Sequence, residues 1–270
     1  MESLALWTGC QPSWTKSEPG STGSNPDDFQ WELYDVSEDF SQASNLAAQT
    51  PPKLKQLQET FDREAKKYNV YPLDATIGER RDVSGRPSLT RGRNLFTYYP
   101  GTNRVPEAAA PDLKNKSYTI TAEVDIPEGG AEGCIVTQGG RFGGWGLLML
   151  DGKPLFVHAF SNHPEHKYRV GSDEKLGTGK HVIKFDFAYE GPGLGKGGTG
   201  TITVDNTQVA QGRIERTIPV RISLDETFDI GQDTGTPVVE DYVDKMPFKF
   251  GGALGKVTIE LGKSDGKAER

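Results

Sequence analysis

From Ser117 onward the chain is built of short runs in which apolar and polar residues alternate, broken every eight to twelve residues by glycine or by Asp-Gly and Asp-Asn pairs. Tyr118-Thr-Ile-Thr-Ala-Glu-Val shows the pattern most plainly. An alternation of period two buries one face of a strand, and closely spaced turn signals require neighbouring strands to be antiparallel. The pattern therefore predicts a mainly β fold, an antiparallel sandwich of jelly-roll or concanavalin type, preceded by a short helical segment.

Strands are predicted near 95–99, 118–126, 133–138, 145–150, 155–160, 182–189, 201–204, 220–224 and 257–261. Asp151-Gly152 and Asp205-Asn206 read as tight hairpin turns, and Gly191 to Gly198 as a loop. With 33 glycines and 17 prolines among 270 residues, turns take a large share of the chain.

The first 28 residues are rich in Ser, Thr, Gly and Pro and hold only isolated apolar side chains, so no packed element is expected there. Residues 29–70 hold a short strand from Trp31, a short helix from Ser37 to Ala48, and a longer helix opened by Pro51 and Pro52. Leu54, Leu57, Phe61, Ala65 and Tyr68 fall on one stripe of that helix. Such a stripe requires a partner surface, and without one it predicts self-association. Residues 71–111 read as a linker carrying the first sandwich strand, 112–262 as the sandwich and 263–270 as a tail.

A net charge of -7 argues against nucleic acid or an anionic membrane as partner. No apolar run is long enough to span a bilayer, and the first residues lack the basic and apolar regions of a signal peptide, so the sequence assigns no compartment. Cys10 and Cys134 lie in dissimilar contexts and imply neither a disulfide framework nor a zinc cluster.

Several constellations bear on function. Arg141, Phe142 and Trp145 share a glycine-rich loop, where an exposed ring could stack on a sugar, although a Trp between glycine and Leu147 is first a core residue. Arg141 and Trp145 are the ligand-binding candidates. Asp229 and Asp233, on a bend followed by Thr-Gly-Thr-Pro, offer oxygen ligands for a structural Ca2+, with Asp225, Glu226 and Asp241 nearby in sequence. His163-Pro-Glu-His166 has metal-ligand chemistry but the composition of a solvated loop.

Glu123, Asp125 and Glu128 match the E-x-D-x-x-E arrangement of some sandwich glycosidases, yet on an unbroken strand Glu128 points away from Glu123. Gly193 to Gly198 fits G-x-G-x-x-G, but a strand follows where a dinucleotide site requires a helix.

Trp31-Glu-Leu-Tyr-Asp-Val-Ser-Glu-Asp-Phe40, continuing to Asn45-Leu46-Ala47, resembles the closing strand and helix of sulfatase catalytic domains. The segments 118–124, 138–145 and 229–237 are similar to the β-sandwich appended to large bacterial-type arylsulfatases. The resemblance implies a C-terminal part of such an enzyme, in which the sandwich packs on a sulfatase catalytic domain as accessory or scaffold. The family's chemistry needs a C-x-P-S-R cysteine and a metal site. The nearest match here, Cys10-Gln-Pro-Ser-Trp14, lacks the arginine. The expectation is thus a chain inactive alone, with a free-standing carbohydrate-binding module as the alternative.

Overall fold

The computed structural model describes residues 4–8, 30–73 and 87–262, and the chain divides into two compact units, residues 1–86 and 87–270. In the first unit, β1 (Leu4–Thr8) pairs antiparallel with β2 (Trp31–Asp35), Leu4 opposite Asp35 and Thr8 opposite Trp31. The N-terminal stretch thus contributes a strand where its composition predicted none.

The helix expected over Ser37 to Ala48 is absent. Asp35 accepts from Ser37 N and Oγ, Asp39 accepts from Ser44 N at 2.8 Å, and Asn45 Oδ1 takes the amides of Leu33 and Ala47. These side chains satisfy the backbone in turns, a standard competitor of helix formation. The long helix forms as predicted, α1 (Pro51–Lys67), with prolines in its first turn and lysines in its last. Its apolar stripe is partly covered within the unit. Phe61 meets Trp31 edge-on at 5.5 Å and Tyr71 at 6.3 Å, Ala65 is buried, and Tyr68 stays exposed.

The second unit is an antiparallel β-sandwich. One sheet has six strands in the order β11 (Thr207–Ile214), β10 (Gly198–Val204), β9 (Gly179–Tyr189), β4 (Tyr118–Ile126), β13 (Ala253–Leu261), β3 (Leu95–Tyr98). The other has five, in the order β12 (Phe228–Ile230), β5 (Gly133–Gly140), β6 (Gly143–Leu150), β7 (Lys153–Ala159), β8 (Lys167–Gly171). Between them lies a core in which Phe156 and Phe185 stack across the sheets at 3.6 Å, flanked by Ile120, Trp145 and Phe228. Asp151-Gly152 and Asp205-Asn206 all have positive φ, which the right-handed twist of a tight hairpin requires.

The two sheets differ in cover. The six-stranded sheet alternates buried and half-exposed residues, leaving one face open. In the five-stranded sheet β5, β6 and β7 are buried on both faces, because the segment from Val238 to Phe248 folds over their outer side and packs Val238, Val239, Tyr242 and Phe248 on Cys134, Leu148, Leu155 and Val157. Tyr242 fastens this cover. Its hydroxyl donates to Asp233 Oδ2 at 2.8 Å and accepts from Val238 N–H at 2.7 Å.

The strand predicted at 220–224 is instead a loop. Glu107 accepts the amides of Ile222 and Ser223, which a sheet would otherwise claim, and Val220 and Leu224 face solvent. No helix among the described residues is long and apolar enough to cross a membrane.

Candidate functional site

The turn between β5 and β6 lies at one end of the sandwich and carries Arg141 and Phe142 between two glycine pairs. Those glycines are required by space. A side chain at Gly140 would run into Thr236, and one at Gly143 would stand 2.7 Å from the Ile222 carbonyl and 3.4 Å from Ile218. Gly139 in addition has φ +78°. The close backbone packing fixes the tip and projects Phe142 outward, 69% exposed.

Arg141 is pinned by its amide, which donates to Thr236 Oγ1. Its guanidinium stands 3.4 Å from Glu240, a carboxylate it shares with Lys167 at 3.6 Å. Arg141 Nε is buried without a hydrogen-bond partner. Next along the same edge, Arg169 forms a paired contact with both oxygens of Asp241. Arg141, Lys167 and Arg169 are thus each paired with a carboxylate of Glu240 or Asp241, and the exposed Phe142 ring stands next to Arg141 on the tip of the turn.

Ile218 and Ile222, which abut Gly143, also wall a narrow cleft that opens between the sheets with a free volume of about 20 Å³. Trp145, Tyr118 and Leu113 form its apolar sides, and Lys114, Thr217 and His158 supply the polar groups. Lys114 is held by Glu107 and Asp112, each at 2.8 Å, and Thr217 donates to the Lys196 carbonyl. His158 is 6% exposed and its Nε2 has no partner. Burial lowers the imidazole pKa to about 4, so the ring is neutral near pH 7.

Of the two residues singled out for ligand contact, the structure leaves Arg141 at the surface and places Trp145 in the core. The indole is 2% exposed, stacks on Phe156 at 6.3 Å and donates from Nε1 to Gln138 Oε1. Trp145 has no face free for stacking, and the exposed ring of that loop is Phe142. His158 was missed by sequence reasoning. The signal was a polar residue on the inward parity of an apolar strand, Phe156 and His158 alternating with Leu155, Val157 and Ala159.

The calcium candidates are spent on protein donors. Asp229 accepts from Arg104 N–H at 2.6 Å, Thr227 Oγ1, Thr234 N–H and Thr234 Oγ1. Asp233 accepts from Tyr242 and from Gly235 N–H, and its burial raises its pKa to about 7. A cation would have to displace these donors, and no cluster of three or more His, Cys, Asp or Glu suited to a metal occurs among the described residues. His163 and His166 are engaged locally, His166 Nδ1 with Ser161 Oγ at 2.8 Å. Glu123 lies on the open face of the six-stranded sheet, 3.1 Å from Lys256, and Glu128 lies past the end of β4, so the two glutamates share no cleft.

No protein-family model and no curated protein sequence matches the chain. Among solved structures, it is similar to the CBM40 of the Ruminococcus gnavus IT-sialidase bound to α2,3-sialyllactose (13% identity, 64% of this chain, 93% of that one, TM-score 0.42). Domain 4 of AbnA, an extracellular GH43 arabinanase of Geobacillus stearothermophilus in complex with arabinotriose, gives 15% identity over 56% of this chain and 63% of that one, TM-score 0.37. Domains LG4-5 of the mouse laminin α1 chain give 11% identity over 63% and 40%, TM-score 0.40. The chain thus spans less than two thirds of the latter two, and likenesses at these scores carry no information about activity.

Proposed function

We propose that the second unit is a carbohydrate-binding module that takes its ligand at the β5–β6 end of the sandwich. The observation that carries this reading is the exposed Phe142 ring, held on a glycine-packed tip next to Arg141. Pyranose rings present a C–H face that stacks on an aromatic side chain and equatorial hydroxyls that take hydrogen bonds from the rim, so both halves of the site have a counterpart on a sugar.

The resemblance of Trp31 to Ala47 to a sulfatase tail fits the same module as the accessory part of an arylsulfatase-like enzyme, whose catalytic cysteine motif this chain does not contain. Calorimetric titration of a glycan panel tests the proposal. At least one member is expected to bind, and Phe142→Ala is expected to weaken it about tenfold, the worth of one aromatic stack, without altering the fold. A panel with no binder, or a variant that binds as the parent does, would refute it.

A further inference from the structure

We infer that β3 is a dimerisation edge: it pairs antiparallel with β3 of a second copy of this chain about a two-fold axis at Phe96, joining two six-stranded sheets into one. The inference concerns the lateral edge of the sheet and is independent of the glycan reading of the β5–β6 end.

Two open sheets present four edges, and among the described residues three of them are occupied. Along β12, Phe228 and Val105 exchange both backbone hydrogen bonds, at 2.8 and 3.1 Å, and Ile230 N–H donates to the Thr102 carbonyl at 2.9 Å. β11 and β8 close on each other, so that a side chain at Gly212 would stand 3.4 Å from the Arg169 carbonyl and 3.1 Å from Val170. β3 pairs with β13 on one side and with no described strand on the other.

One hydrogen bond shows which backbone groups face that free side. Leu261 N–H donates to the Asn94 carbonyl at 2.7 Å, so in the register of β3 and β13 the residues bonded inward are Asn94, Phe96 and Tyr98. Leu95 and Thr97 therefore turn both N–H and C=O away from β13. Both residues are exposed, and no hydrogen bond to another described residue claims those groups.

A second copy fits because this edge is complementary to itself. With the axis at Phe96, Leu95 faces the second copy's Thr97 and Thr97 faces its Leu95, which makes two hydrogen-bonded pairs and roughly four backbone hydrogen bonds from one strand. Sheets that stay single guard such an edge with lysine, proline or a bulge. Leu95-Phe96-Thr97-Tyr98 carries no charge and no proline, and its register with β13 is unbroken. Leu95 and Tyr99, 53% and 62% exposed, add apolar side chains for the contact to bury.

Analytical ultracentrifugation of the full chain tests the inference over about 5 µM to 1 mM, a range suited to a small contact. A monomer–dimer equilibrium is expected, rising towards twice the chain mass of 29.5 kDa. Leu95→Lys with Thr97→Lys sets like charges opposite one another at two solvent-facing pairs and is expected to weaken the dimer about tenfold. Mixing that variant with Leu95→Glu and Thr97→Glu in a second chain is expected to restore association between the two, which a folding defect could not do. Amide exchange on the parent needs no variant, and protection at Leu95 and Thr97 is expected to rise with concentration. A chain monomeric throughout, a dimer indifferent to the lysine pair, oppositely charged variants that fail to associate, or protection that stays constant overturns the inference.

Discussion

Phe142 and Trp145 stand three positions apart in one glycine-rich run and have opposite roles. Trp145 fills the space between the sheets, so Trp145→Ala should cost about 3–5 kcal/mol in chemical denaturation, the usual loss for a large core aromatic. Phe142→Ala should leave stability within about 0.5 kcal/mol, as expected for an exposed side chain, and act on ligand affinity alone. The two variants together separate a scaffold residue from a contact residue, and equal losses of stability would contradict the placement of both rings. That Trp145 belongs to the core was legible from its place between glycine and Leu147, whereas Phe142 as the outward ring was not. The run Gly-Trp-Gly-Leu-Leu-Met-Leu is apolar on both parities because both faces of β6 are covered, so the period-two rule had nothing to discriminate.

At the scale of elements, legibility followed the same physics. β4, β9 and β13 were readable because one face of their sheet is open and alternation survives. β8, β11 and β12 were not, being short or largely polar, and β12 in addition pairs with β5, far back along the chain. The 220–224 segment had the propensity of a strand but lost its amides to Glu107. The cover segment from Val238 to Phe248 is anchored through one phenol that serves two buried partners. Tyr242→Phe would strip the hydrogen bonds to Asp233 and to the Val238 amide and should cost about 2–3 kcal/mol. Hydrogen exchange should then quicken in Val238 to Phe248 ahead of the rest of the sandwich. Uniform exchange across both sheets would show that the cover is no separate element.

For the molecule as a whole, two buried groups make opposite demands on pH. Asp233 has its pKa raised by burial to about 7 against an unfolded value near 3.9, so the folded chain holds a proton the unfolded chain has lost. Its contribution is complete below about pH 4 and is lost as pH rises through 7. His158 has its pKa lowered by burial to about 4 against roughly 6.5 unfolded, so its contribution is complete above pH 6.5 and is lost as pH falls through 4. Each slope amounts to about 1.4 kcal/mol per pH unit, and they oppose one another from about pH 4 to 6.5. Carboxylates whose pKa is lowered, such as Asp205 by the Val182 amide and His181, act mainly below that window. The stability of the parent sandwich should therefore be nearly flat there. Asp233→Asn leaves the histidine slope alone and should make stability rise with pH by about 3 kcal/mol across the window, whereas His158→Gln should make it fall by a similar amount. Urea denaturation at pH 4.5, 5.5 and 6.5 reads both tilts directly. Parallel profiles for the parent and the two variants would mean that neither group is buried in the protonation state its surroundings dictate.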